Sequence, residues 1–501
     1  MFPRHTSLHL NPADIQAAAR QSIEFGTHHY DTLCSASPGD ARDQEVDGEV
    51  AKVSFAAAED LPPSAPAPSM ASLLEYLQSN LVGEDAVGPN PHSPGFLGWV
   101  AGGVLPQANV LDFYLHAINP NGNVWYMAPF MQRLEMNVIH WFCHIVGYSR
   151  PRSLGIFSDG ASTANHYAVI VARQKKFPDN NNLAKATLYV SKAAHYCIAK
   201  GSRMAGILPQ HCRIVPTDSQ GRMRVNALRA QLEADVAAGL VPFFVVATLG
   251  TTSLGAVDDL PSIAVLAKAF GCHLHCDGAC GGFFLLTERG KTLMRGVELS
   301  DSVCFDFHKG MGLPLATSLL VVKERDDLIT GFQSSDTPDY LGSAADPSKR
   351  YFLGSELEFD HDLVAFTDCS PELSRAAKGV KVWWMIKLHG LEAWAAHYDH
   401  LLDCAASARA KLAQIPGLVL GPSGLNIVTF HVQSDDDDVA RTNARTNNLV
   451  DDLTARRKVL LSQASYVESK SGETYSLARA CLQNVATTQA TVDLLVGEVK
   501  A

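Results

Sequence analysis

The stretch Ser300-Asp301-Ser302-Val303-Cys304-Phe305-Asp306-Phe307-His308-Lys309-Gly310-Met311-Gly312 decides the fold. Strand-like alternation ends in His308-Lys309, and two glycines and Pro314 follow. A lysine so placed leaves a strand end and points toward whatever cavity the fold makes. Taken alone, the pattern describes a surface lysine equally well. Two upstream stretches bear on the choice. The apolar run Val241-Pro242-Phe243-Phe244-Val245-Val246-Ala247-Thr248 closes on Leu249-Gly250-Thr251-Thr252, and His273-Leu274-His275-Cys276-Asp277-Gly278-Ala279 closes in the same way. Between them, Leu260 to Phe270 reads as a helix. A βαβ unit sets its strands parallel, with their C-terminal ends on one edge. Open α/β sheets bind ligands at that edge. Thr252, Asp277 and Lys309 can therefore all reach one crevice.

A third stretch, Gly155-Ile156-Phe157-Ser158-Asp159-Gly160-Ala161-Ser162-Thr163-Ala164-Asn165, reads as strand, tight turn and helix start. Backbone N–H groups at such a start cradle phosphate, although Ser162 also suits a simple N-cap. An acid, a lysine and a phosphate-sized cradle suit pyridoxal 5'-phosphate. That cofactor takes a lysine for covalent attachment and a carboxylate to hold its pyridine nitrogen protonated, so that the ring accepts electrons.

From about His92 to the C-terminus, these motifs occur in the order found in the group II pyridoxal-phosphate decarboxylases, and the chain resembles that family of glutamate, cysteine-sulfinate and aromatic amino-acid decarboxylases. The resemblance implies an α/β fold of type I, like aspartate aminotransferase. Its large domain is a mostly parallel seven-stranded sheet flanked by helices, followed by a small α+β C-terminal domain. It implies residues 1–103 as a helical segment packing on a partner subunit, 104–385 as the cofactor domain and 386–501 as the small domain. The cofactor should be held by Lys309, with Asp277 at its pyridine nitrogen and His195 stacked on the ring. Thr252 and Ala279 should flank the ring, and Ala161, Ser162 and His308 should hold the phosphate. Arg479, in the otherwise apolar Tyr475 to Asn484 strand, matches the arginine that grips the substrate α-carboxylate. Tyr340, in the loop Asp336 to Ser343, matches the tyrosine that protonates Cα after CO2 leaves. The implied enzyme is a homodimer with its active site at the subunit interface.

Two departures from the family pattern stand out. Asp306-Phe307 occupies the place of the common Asn-Pro, and an aspartate near a phosphate repels it unless turned away or protonated. Asp277-Gly278-Ala279 replaces the more usual Asp-Ala-Ala. The substrate signals are mixed. Trp99, in His92 to Trp99, stands where glutamate-type members usually carry a glutamine; it offers one N–H and a large apolar face. Asn121, Trp125 and Tyr126 should line the same region. These residues lean toward an aromatic amino acid, whereas the pattern from Tyr340 onward leans toward the glutamate and cysteine-sulfinate branch. Rival readings are an acidic amino acid decarboxylase, oxidative deamination to an aldehyde and a catalytically inactive scaffold. Tyr340 argues against the second, because relatives that do this typically carry phenylalanine there. The intact Lys309, Asp277, His195 and Tyr340 argue against the third.

The remainder of the sequence bounds the setting. The chain has 501 residues and a formal net charge of -11, which argues against a nucleic-acid partner. No uninterrupted apolar run is long enough to span a bilayer, and Met1-Phe2-Pro3-Arg4-His5 lacks an apolar signal core. Its 11 cysteines are scattered, several within apolar strands, as reduced thiols in a cytoplasmic protein would be. On a strand, His273, His275 and Asp277 face one side and Cys272 and Cys276 the other, so the group does not converge on a metal. Asn11 to Thr27 and Ser69 or Ser72 to Leu81 read as helices, Leu61 to Pro68 as a linker, Arg133 to Val146 as a helix, Leu315 to Val322 as a buried strand, and Leu373 to His389 as the helix crossing into the small domain.

Overall fold

Five strands whose every residue is buried, two of them ending in Asp277 and Asp306, form the centre of the molecule. Burial on both faces is what a helix-covered sheet requires, and it explains the near-continuous apolar runs. The computed structural model describes residues 16–17, 20–21, 23–24, 69–81, 90–100, 102–123, 128–333, 364–468 and 471–501.

In chain order the elements begin with α1 (Met70–Leu81), α2 (Pro106–Ile118), α3 (Pro129–Val146), β1 (Leu154–Ser158), α4 (Ala161–Lys176), β2 (Ala186–Ser191) and α5 (Cys197–Met204). Then follow β3 (Cys212–Val215), α6 (Val225–Ala237), β4 (Val241–Thr248), α7 (Leu260–Ala269), β5 (His273–Asp277), α8 (Glu288–Leu293) and β6 (Ser302–Asp306). The short α9 (Phe307–Gly310), β7 (Ser318–Val322) and α10 (Arg325–Phe332) complete the large sheet. After α11 (Gly379–His389), the C-terminal part holds α12 (Leu391–Leu412), β8 (Leu418–Leu420), β9 (Ile427–Val432), α13 (Val439–Ala455), β10 (Ser462–Val467), β11 (Thr474–Cys481) and α14 (Gln489–Lys500).

The seven-stranded sheet has the order β1-β7-β6-β5-β4-β2-β3. Strands β3, β2, β4, β5 and β6 pair in parallel. The expected βαβ unit is present, with Phe244 opposite His273 and Thr248 opposite Asp277. Strand β7 runs antiparallel to both β6 and β1, so β1 points the same way as the parallel set. The C-terminal ends of β1, β2, β4, β5 and β6 thus lie on one edge, and that edge positions the site. The smaller sheet, β10-β11-β9-β8, is antiparallel. Its core joins Val428, Phe430 and Ala480 to Cys404, Leu453 and Leu495 of the helices behind it.

Boundaries differ from the sequence reading in informative places. Strand β7 begins at Ser318 because Ala316 adopts a left-handed φ of 68°, leaving Leu315 exposed. Helix α11 begins at Gly379, not Leu373, because Arg375 is drawn into the interior. Its guanidinium pairs at 2.9 Å with Glu135, and both side chains are fully buried. Helix α1 begins where expected, with the Ser72 N–H donating to Ser69 Oγ at 3.0 Å. The described cysteines are all free. Among the described residues no helix is long and apolar enough to cross a membrane.

Candidate active site

Lys309 sits on α9, a single turn fastened from below. Phe307 is fully buried, edge-on to Phe142 at 4.9 Å and to Phe283 at 5.1 Å. Such pairs contribute about 0.5–1.5 kcal/mol each beyond burial, so Phe307 anchors the turn. Gly310 has no room for a side chain, since a Cβ there would lie 2.2 Å from Phe283 Cδ2. Tyr398 Oη donates to the Gly310 carbonyl at 2.6 Å, and Gln483 Nε2 donates to the Lys309 carbonyl at 3.1 Å. The lysine is therefore presented on a rigid base, with its side chain lining the cavity.

Asp306, where the family commonly carries asparagine, is neither turned away nor unpaired. Its Oδ2 lies 2.9 Å from Lys309 Nζ, and its Oδ1 lies 2.8 Å from His308 Nδ1 and accepts from Ser318 Oγ at 2.5 Å. Burial works to raise its pKa, but the His308 hydrogen bond and the Lys309 charge outweigh it, and Asp306 lies below the usual carboxylate value. Burial works to lower the pKa of Lys309. The carboxylates of Asp306 and Asp277 more than reverse this, so Lys309 lies above the usual lysine value. Burial also raises the Cys280 thiol. Cys280 is thus uncharged at neutral pH, and Asp306 carries the effect.

The cavity measures about 570 Å³. At one end, Gly160 precedes α4, whose first N–H groups, at Ala161 and Ser162, have no partners within the helix. At the other, Asp277 accepts from Asn165 Nδ2 at 3.2 Å, from the Ala279 N–H at 3.1 Å and from Cys304 Sγ at 3.3 Å. His195 lines the cavity and accepts the Cys197 N–H at Nδ1 (3.3 Å), which places its proton on Nε2. Burial lowers its pKa, so the ring is neutral at pH 7. Thr252, Ala279 and His308 line the same space. The unusual Gly278 has a local reason: a Cβ there would meet the Cys304 carbonyl at 2.6 Å.

The cavity thus gathers Lys309, Asp277, His195, Ala161, Ser162, Thr252, Ala279 and His308. Trp99, Asn121 and Arg479 are not among its described lining residues. Trp99 is 57% exposed and packs edge-on to Phe96. Asn121 Oδ1 accepts the Asn123 N–H at 3.1 Å. Arg479 is only 3% exposed, and its Nη1 donates to the Gly98 carbonyl and to Ser462 Oγ, each at 2.8 Å. Its Nε and Nη2 have no partner among the described residues. Buried donors left bare are costly, so these two suit a carboxylate supplied from outside. Tyr340, Trp125 and Tyr126 lie outside the described residues. Sequence reasoning missed Asn165, which reads as an ordinary interior helix position. A signal was present: a weak helix former one turn after Ala161, opposite a strand carrying His-x-His-x-Asp.

The donor set fits pyridoxal phosphate, with free helix N–H groups for the phosphate, a carboxylate for the ring nitrogen and a lysine for covalent attachment. A model of the pyridoxal-dependent decarboxylase conserved domain matches residues 91–430. An aromatic-L-amino-acid decarboxylase of Bacillus atrophaeus is 27% identical over 498 residues, covering 99% of this chain and 96% of its own. The human cysteine sulfinic acid decarboxylase is 29% identical over 346 residues, 68% of this chain and 67% of its own. Among solved structures, Oryza sativa TDC with PLP and tryptamine superposes with a TM-score of 0.84 at 20% identity, covering 100% of this chain and 99% of that one. Mouse CSAD superposes with a TM-score of 0.82 at 23% identity, covering 98% and 99%. These two likenesses are of fold.

Proposed function

The chain belongs to the pyridoxal-dependent decarboxylase family and is a pyridoxal-phosphate-dependent carboxy-lyase acting on an amino acid, and from that premise we propose that its substrate carries an aromatic side chain. One observation carries the reading. Among the described residues lining the cavity, Lys309 is the only lysine or arginine. That lysine is committed to the cofactor, so the described lining offers no free lysine or arginine to pair with a distal carboxylate or sulfinate. Trp99 adds support, because it follows Gly98, whose carbonyl holds Arg479. The carbonyl that accepts from the proposed α-carboxylate anchor and the Trp99 indole thus belong to neighbouring residues. The near full-length match to an aromatic-L-amino-acid decarboxylase agrees with this choice.

Bound pyridoxal phosphate supplies the sink for the electron pair left when the Cα–carboxylate bond breaks. The protein's part begins with Arg479, whose bare Nε and Nη2 clamp the α-carboxylate and fix which Cα bond is set to break. Asp277 would hold the proton of the ring nitrogen, and neutral His195 would flank the ring. The Ala161 and Ser162 N–H groups, with His308, hold the phosphate. Lys309 Nζ would hold the cofactor and, whenever it is free, pairs as an ammonium with Asp306. Tyr340 is assigned the proton delivered to Cα. We further propose a cytoplasmic homodimer. The exposed Val110, Phe113, Tyr114 and Ile118 of α2 give a subunit interface its apolar surface.

Steady-state kcat/KM for L-tryptophan, L-tyrosine and L-phenylalanine, against cysteine sulfinate, glutamate and 2,4-diaminobutyrate, tests the substrate. Preference for any aromatic acid by about tenfold or more, some 1.4 kcal/mol, is expected. Preference for an acidic or basic side chain refutes the assignment.

A further inference from the structure

Behind Asp277 the interior holds a chain of polar side chains that the reaction scheme above does not use. His273 and His275, two residues apart on β5, both face Ser302 of β6. Ser302 Oγ lies 2.8 Å from His273 Nε2 and 2.8 Å from His275 Nδ1. His275 Nε2 lies 2.7 Å from Asn165 Oδ1, and Asn165 Nδ2 lies 3.2 Å from Asp277 Oδ2. Asn165 is 1% exposed, and His275 and Ser302 are fully buried.

The direction of every proton in this chain follows from its end. A carboxylate accepts, so Asn165 turns its amide NH2 toward Asp277 and its oxygen toward His275. An amide oxygen accepts, so the His275 proton is on Nε2. Burial lowers the His275 pKa to about 3. The ring is therefore neutral, and Nδ1 accepts from the Ser302 hydroxyl. Ser302 in turn accepts from His273 Nε2–H. This leaves a bare lone pair on His273 Nδ1, an atom with no partner among the described residues. Cys304 Sγ lies 3.3 Å from Asn165 Oδ1 and 3.3 Å from Asp277 Oδ1, so its single S–H serves one of these two oxygens at a time. A flipped Asn165 amide would set oxygen against the carboxylate, with both His275 and Cys304 facing its NH2 group.

We propose that Asn165, His275 and Ser302 are positioning residues: a one-way hydrogen-bond relay that locks the Asn165 amide, so that Asp277 meets only donors and keeps its aim at the cofactor's ring nitrogen. The relay rests on the assignment of Asp277 to that nitrogen. It separates the two histidines from any role in contacting substrate, and it accounts for a His-x-His-x-Asp strand beside an interior helix asparagine.

The test is the dissociation constant of pyridoxal phosphate for the full chain, with the visible absorption of the bound cofactor as a second readout. His275→Leu, His275→Gln, Ser302→Ala and Asp277→Ala are compared, and thermal melts confirm folding. Glutamine places an amide N–H near the position of Nε2–H, and leucine fills the space without a donor. His275→Leu is expected to weaken binding by about tenfold or more, the scale of one hydrogen bond to a charged group, and to shift the absorption. His275→Gln is expected to stay within about threefold of wild type. Equal losses for Leu and Gln indicate that only volume matters and overturn the relay, as do no losses in either. If His275→Leu fails to fold, Ser302→Ala decides: weakened binding supports the relay and unchanged binding overturns it. Asp277→Ala keeps the two claims apart. If it binds as wild type, the assignment of Asp277 fails; if it loses affinity while the relay variants do not, the relay alone fails.

Discussion

Replacing Asp306 with asparagine should make Lys309 more reactive toward the cofactor, not less. The asparagine amide would retain an oxygen for Ser318 Oγ and His308, and the change would remove the charge and the acceptor that face Lys309. The charge acts at short range, with Asp306 Oδ2 2.9 Å from Lys309 Nζ and their side chains 2% and 23% exposed. At an effective dielectric of about 20, that separation is worth roughly 6 kcal/mol, a ceiling of about four pKa units. Water at the partly exposed lysine reduces this, and one to two units is a fair working range, on the order of 1.4–2.7 kcal/mol. The amine must be neutral to attack. Lys309 lies above the usual lysine value, so near neutral pH each unit removed raises the reactive fraction about tenfold. Asp306→Asn should therefore attach pyridoxal phosphate roughly ten to a hundred times faster at pH 7.5. In wild type the rate should climb about tenfold per pH unit. Stopped-flow absorbance at saturating cofactor, on protein stripped of it, reads the covalent step separately from affinity. An unchanged or slower rate would refute the reasoning and show that Asp306 assists the attack, for instance by accepting a proton, rather than restraining the amine.

The buried Arg375–Glu135 pair gives a second expectation: Arg375→Met leaves Glu135 buried without its partner and should cost about 3–5 kcal/mol in urea unfolding, whereas Arg375→Met combined with Glu135→Leu should recover most of it. Acid should weaken the fold through His273 and His275, each lowered by burial to about 3 from 6.5. Protonation then favours the unfolded chain, so their contribution is complete above about pH 6.5 and falls as pH drops toward 3. By pH 5 the loss is on the order of 2 kcal/mol per histidine, and urea unfolding of His275→Gln should show about half of that pH dependence. Gly310→Ala forces a Cβ against Phe283 and should lower stability by about 1–3 kcal/mol; slower cofactor attachment is expected with it, because the Lys309 turn must shift.

The parallel edge was legible because period and punctuation are local. Val241–Thr248, the helix after it and His273–Asp277 each declare themselves over a few residues, and handedness then brings Thr252, Asp277 and Lys309 together. What depends on long-range pairing was not legible. The delayed start of α11 follows from Arg375 reaching Glu135, 240 residues away in sequence. Asp306 reads as a liability near a phosphate, and only the fold shows its two partners at His308 and Lys309. Phe307 and Gly278 look like lapses from a family pattern until the ring cluster and the Cys304 carbonyl are seen around them. Asn165 carries no local mark of its role, since its function lies in facing β5 from a helix. The substrate roles of Trp99, Asn121 and Arg479 rest on resemblance, and the described lining of the single chain's cavity does not include them.

The most direct test of the central claim is release of labelled CO2 from carboxyl-labelled amino acids by the cofactor-loaded chain, with Lys309→Ala in parallel. Release from an aromatic L-amino acid, reduced to background by Lys309→Ala, is the expected result. No release from any amino acid by a chain that binds the cofactor, or undiminished release by Lys309→Ala, would contradict it.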